Sequence, residues 1–149
     1  MIFSVDFDGT VVSQARDYED VSTPFVFVPG AKEALQALKR AGHVLILCSA
    51  RTNLSLWVDP NLDPLVRAGI RKVDHALWES KRAMHAARIE HMVEFCKTDL
   101  PGVFDAIDYG ECGKMLADLF IDNNALRLGP GQLGVSWDKV VDMYGDRVA

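Results

Sequence analysis

The stretch Ile2-Phe3-Ser4-Val5-Asp6-Phe7-Asp8-Gly9-Thr10 decides how this chain is read. An apolar run ends in two carboxylates spaced i, i+2, followed by Gly-Thr. In a strand, alternation with period two puts Asp6 and Asp8 on the same side. The lead-in is apolar enough for a buried central strand of a parallel sheet, and such sheets carry their sites at strand carboxyl ends. Two acids placed there repel each other unless something neutralises them. A hard divalent cation does so, and Mg²⁺, which takes oxygen ligands from one or two carboxylates, is the expected one. Gly9 allows a tight turn or a close approach to a ligand. The plainer alternative is a strand ending in an acidic turn, because Asp-Gly is also a hairpin signal.

Outward from this stretch, residues 11–28 begin apolar, turn polar through residues 13–19 and close with Phe25-Val26-Phe27-Val28 between Pro24 and Pro29. They read as an excursion over the first strand's carboxyl end, either a lid or a plain surface loop. Pro29-Gly30 opens an amphipathic helix in which Ala31, Ala34, Leu35, Leu38 and Ala41 recur at helical spacing. Gly42 is placed to end it. Val44-Leu45-Ile46-Leu47-Cys48 is a second buried parallel strand, which completes a βαβ unit. It runs into Ser49-Ala50-Arg51, and a guanidinium at that point can grip a phosphate or a substrate's distal part.

Residues 53–100 are the least regular part. Pro60 and Pro64 interrupt their start, and residues 73–96 have helical spacing. His75, His85 and His91 read as surface or core histidines, and Trp57 and Trp78 as packing residues. Pro101-Gly102 breaks this helix. Residues 104–109 form an edge-like third strand, with Asp105 and Asp108 in it. Leu116-Ala117-Asp118-Leu119-Phe120-Ile121 leads into another buried strand that ends in Asp122-Asn123-Asn124, so strand-then-acid occurs twice. Asp118 lies four residues, or about 13 Å, back along that strand and is read as structural. A last helix starts near Ser136, its expected cap.

Asp6-Phe7-Asp8-Gly9-Thr10 resembles the Asp-x-Asp-Gly-Thr signature of the haloacid dehalogenase (HAD) superfamily of phosphohydrolases. The resemblance implies a doubly wound, Rossmann-like three-layer α/β fold with a mainly parallel sheet. It implies Asp6 as nucleophile and Asp8 as general acid and base. Gly9 and Thr10 then belong to the phosphate-binding loop, with Thr10 orienting Asp8. Ser49 matches the second motif, a hydroxyl that binds the phosphoryl oxygen, with Arg51 beside it. Lys114 is the candidate for the third motif, with Lys97 as its rival. Asp122 takes the metal position of the fourth motif, so the implied Mg²⁺ ligands are Asp6, Asp8 through its backbone carbonyl, Asp122 and Asn123. That fourth motif often has a second acid where this chain has Asn123, which bears on metal affinity more than on chemistry. The lid over residues 11–28 corresponds to the family's flap. The interval from Asp8 to Ser49 is too short for a folded cap, and residues 53–100 form either a minimal cap or, by preference, the crossover helices of a capless core.

The 149 residues fit one domain spanning 1–149, and 49% hydrophobic with 25% charged residues is an ordinary globular balance. A net charge of −5 gives no footprint for nucleic acid or an anionic membrane. Cys48, Cys96 and Cys112 share no close spacing, which argues against a zinc site or disulfide framework, and reduced thiols suit the cytoplasm. No leader peptide and no membrane span are expected. The expected partner is a small-molecule phosphate ester, and a homo-oligomer is compatible. Two other classes stay open: a receiver-like domain that accepts a phosphoryl group on Asp, and a binding or scaffolding protein that keeps the fold without turnover.

Overall fold

The computed structural model describes residues 1–14, 17–110, 116–122 and 137–146. Four strands make one all-parallel sheet: β1 (Ile2–Asp6), β2 (Val44–Cys48), β3 (Ala106–Asp108) and β4 (Leu119–Ile121), in the spatial order β3-β2-β1-β4. The helices are α1 (Ala31–Arg40), the short α2 (Pro64–Arg67), the long α3 (His75–Asp99) and α4 (Trp137–Tyr144). The protein is therefore mixed α/β, and its first strand, which carries the acid pair, is central in the sheet.

Register explains which side chains meet. Phe3 lies beside Leu45 and Leu119, and Val5 beside Leu47 and Ile121. In-register residues of parallel strands share a face, so these apolar side chains form one continuous surface. They join α1 (Ala31, Ala34, Leu35, Leu38), α3 (Met92, Cys96) and α4 (Trp137, Val140) in one buried cluster. The alternate residues Ser4, Asp6, Ile46 and Cys48 face the other way. On that side Ile2, Val44 and Phe120 are 36–39% exposed.

Local chemistry sets the helix ends. Gly30 and Gly42 flank α1 at φ 82° and 86°, a region L side chains rarely adopt. Asp74 caps α3 by accepting the Leu77 N–H at 3.0 Å. The third strand is shorter than the expected 104–109, and Asp105, just before it, pairs with Leu45 through both backbone and side chain: its N–H donates to Leu45 O at 2.8 Å. Its carboxylate accepts the Leu45 N–H at 2.9 Å and pairs with Lys39. Asp118 is structural, as read: its carboxylate accepts the Ile2 N–H at 2.7 Å, at the amino end of the sheet. Ser136, the expected cap of α4, lies outside the described residues.

The described residues of 11–28 are tied down at several points. The Ser13 N–H donates to Val26 O at 2.8 Å and the Val28 N–H to Val11 O at 3.0 Å, so the excursion returns on itself. Phe25 and Phe27 pack against the core, and Tyr18 and Glu19 meet His85 and Lys81 on α3. Residues 50–74 leave the sheet as three short 3-10 turns (Ala50–Thr52, Leu54–Leu56, Pro60–Leu62) and α2. Asn53, Asp59 and Asp63 cap the later turns through their side-chain oxygens. The stretch 53–100 thus serves twice: α3 is a core crossover, while residues of 54–67 line the cleft at the strand ends.

Leu38 is fully buried, so Leu38→Ala should cost about 3 kcal/mol in urea unfolding. Nothing lies within 4 Å of a Cβ built on Gly42, so Gly42→Ala isolates the backbone term and should cost about 1 kcal/mol.

Candidate active site

The acids gather at the carboxyl edge of the sheet. Asp6 is in register with Cys48, and Cys48 with Asp108. Asp122 follows Ile121, the partner of Val5, and so comes opposite Asp6. Asp122, Asp6, Cys48 and Asp108 thus form a row across four strands on one face. They line a cleft of about 780 Å³ together with Ser49, Asn53, Leu54, Leu62, Arg67 and Tyr109.

Asp6 is held away from its ordinary ionisation. Burial and then the charge of Asp122 push its pKa from 3.8 up to about 6, against hydrogen bonds from the Phe7 N–H and Thr10 hydroxyl. The Thr10 hydroxyl reaches Asp6 at 3.3 Å, so in this structure it orients Asp6 rather than Asp8 as the motif implied. Gly9 turns the chain at φ 78°, and the N–H groups of Thr10, Val11 and Val12 converge on the Phe7 carbonyl at 3.2, 2.9 and 3.2 Å. That turn swings Asp8 off the strand line.

Asp8 meets Arg51 instead of the cleft. Arg51 Nε and Nη2 each donate to the Asp8 carboxylate at 2.8 Å, a two-pronged pair. Arg51 is 3% exposed, lies 5.1 Å from the Phe25 ring centre, and donates through Nη1 to Arg88 O at 3.3 Å. Its guanidinium is committed to Asp8, so it does not stand in the cleft where a phosphate grip would need it. Ser49 does line the cleft. Its Oγ accepts the Arg51 N–H at 3.1 Å, which leaves the hydroxyl proton available to donate. Thr52 ties the edge together by donating to Ser49 O at 2.9 Å and Asp108 O at 2.7 Å.

Cys48 is half-buried beside Asp6 and accepts the Ser4 hydroxyl at 2.9 Å. Burial pushes its thiol pKa up, so it behaves as a packing thiol. His91 stacks on Phe25 with ring centres 4.2 Å apart, and the Trp78 indole N–H donates to Ser55 O at 2.8 Å, as packing residues do. Lys114 and Asn123 lie outside the described residues. Lys97, the alternative cation, is exposed on α3 and does not line the cleft.

A hard cation suits part of this set. Asp6 and Asp122 bring carboxylate oxygens to one point, and a cation there would offset both the burial and, second to it, the Asp122 charge that raise the pKa of Asp6. Among the described residues, no group of three His, Cys, Asp or Glu side chains is assembled to hold a metal. Asp8, bound to Arg51, would contribute its backbone carbonyl rather than its carboxylate. Among the described helices, none is long and apolar enough to cross a membrane.

Sequence reasoning missed Arg67 and Asp108. Asp108 ends a strand in an acid just as Asp6 and Asp122 do. Asp59-Pro60 and Asp63-Pro64 are two cap-then-proline pairs that mark the turns carrying Arg67 to the cleft. No protein-family model, curated protein or solved structure matches the chain.

The Asp6 shift sets a pH dependence. Between pH 3.8 and about 6 the folded protein keeps a proton that the unfolded chain has lost, so stability falls as pH rises through that window. In metal-free buffer Asp6→Asn should gain about 1 kcal/mol on the native protein between pH 4 and pH 8, allowing for solvent screening. Parallel stability curves for the two proteins would contradict this. Removing the guanidinium in Arg51→Ala should cost on the order of 2 kcal/mol in chemical denaturation, with Arg51→Lys recovering only part of it.

Proposed function

We propose that the protein is a Mg²⁺-dependent phosphohydrolase of the haloacid dehalogenase type, with a doubly wound fold, acting on a small phosphate monoester through Asp6. One observation carries this reading: Asp6 and Asp122 meet at the centre of the sheet's carboxyl edge, in an open cleft, with Asp6 pushed up to about 6. Asp6 attacks phosphorus in line, the bond to the leaving oxygen breaks, and an aspartyl-phosphate forms. For Asp8 to give a proton to the leaving oxygen and then take one from the water that releases phosphate, its carboxylate has to leave Arg51 and turn into the cleft. The Ser49 hydroxyl, with Lys114, binds the transferring oxygens. A Mg²⁺ held by Asp6, Asp122 and the Asp8 carbonyl, with Asn123 nearby in sequence, would supply charge neutralisation between nucleophile and phosphate.

The second reading, a binding protein without turnover, is favoured by the Asp8 carboxylate already being taken by Arg51. Hydrolysis of p-nitrophenyl phosphate separates the two. The native protein should turn it over with Mg²⁺ and stop with EDTA, and Asp6→Asn should lose on the order of a thousandfold or more in kcat while its circular dichroism is unchanged. Absence of turnover in the native protein, with Mg²⁺ still raising its melting temperature, would favour the binding protein.

A further inference from the structure

Arg67 stands out among the described arginines. Arg40, Arg51, Arg71 and Arg82 each pair with a carboxylate, and Arg88 lies over the Tyr18 ring at 3.6 Å. Arg67 has no carboxylate partner among the described residues. Its one hydrogen bond is from Nε to Asn61 O at 3.2 Å, which steadies the stem and leaves the terminal nitrogens for another acceptor. The nearest acid in sequence is otherwise employed: Asp63 caps α2 through the Leu65 N–H at 2.8 Å and pairs with Arg71 at 3.0 Å. A chain with 21 acids and 16 Lys and Arg residues leaves this guanidinium on the wall of the cleft that Asp6, Asp108 and Asp122 make acidic. Among the described residues lining that cleft it is the cationic one.

Its placement separates it from the reacting end. Asp6 and Asp122 sit at the middle of the sheet edge, whereas Arg67 ends α2 on the segment that lines the cleft at the strand ends. A cleft of about 780 Å³ has room for a whole metabolite rather than one phosphoryl group. A planar guanidinium favours an oxyanion it can grip with two N–H groups.

We propose that Arg67 is a specificity-determining residue that reads a second anionic group, carboxylate or phosphate, at the non-reacting end of the substrate. The preferred substrate class is therefore the phosphate monoester with a distal oxyanion. This rests on the hydrolase reading above, and the test separates the two. Two matched series are hydrolysed with Mg²⁺: phosphorylated ω-hydroxy carboxylates of increasing chain length, and alkyl phosphates of the same lengths, with p-nitrophenyl phosphate as reference. The carboxylate series should be preferred at the length that spans the cleft. Arg67→Ala should raise KM for that substrate about tenfold or more and leave kcat, and turnover of the reference ester, unchanged. Arg67→Lys should recover part of the preference.

Turnover of the reference ester with no preference between the series, or a preference that survives Arg67→Ala, would overturn the role of Arg67 and leave the hydrolase standing. An equal loss of kcat on every ester in Arg67→Ala would place the guanidinium at the reacting phosphoryl group and likewise overturn it. No turnover of any ester by the native protein would sink the hydrolase reading and this assignment with it.

Discussion

The meeting of two carboxylates, Asp6 and Asp122, is the constraint on which the sheet's acidic edge depends. A parallel sheet in register sets Asp122 opposite Asp6, one strand spacing apart, about 4.8 Å. Burial deepens the repulsion, and the Thr10 hydroxyl and Phe7 N–H offset only part of it. A fold that tolerates such a pairing at its centre has to recover the stability elsewhere, and the apolar face beneath provides it. Phe3, Val5, Leu45 and Leu47 are fully buried directly behind the acidic row. The same four strands therefore present a well-packed surface to the helices and a strained polar edge to the cleft.

Asp8 shows a different solution to the same problem. Three residues beyond the strand, the Gly9 turn redirects the chain, and the second acid of the pair acquires a buried guanidinium of its own. Phe7, just after β1, and Phe25, in the returning segment, lie against Arg51 at 5.6 and 5.1 Å, so both steady the guanidinium that holds Asp8. The segment over residues 11–28 is thereby part of the site's architecture, fastened at one side to α3 and at the other to the core.

Much of this was legible in the residues. Apolar runs ending in acids announced β1 and β4, and the alternation of strand, helix and strand announced parallel pairing. The amphipathic spacing of Ala31, Ala34, Leu35 and Leu38 marked the buried face of α1. What resisted reading had physical causes. Whether Arg51 faces a cleft or a carboxylate depends on a turn around Gly9, and side-chain direction after such a turn has no period. Whether Thr10 bonds Asp6 or Asp8 likewise depends on the path of that turn. Residues 53–74 carry no long repeat, because 3-10 turns held by Asn53, Asp59 and Asp63 are too short to show one. Arg67 was hidden in that stretch. A chain of such turns can set a side chain above a sheet without leaving a hydrophobic signature.

The indole N–H of Trp137 donates to the backbone carbonyl of Thr10 at 2.8 Å, across 127 positions of chain. The loop that follows the first strand is therefore fastened by the final helix, and the first strand itself pairs with β4, whose residues come nearly as late. During synthesis at the ribosome, the acidic edge has neither its second wall nor its anchor until β4 and α4 have emerged, more than 110 residues after β1.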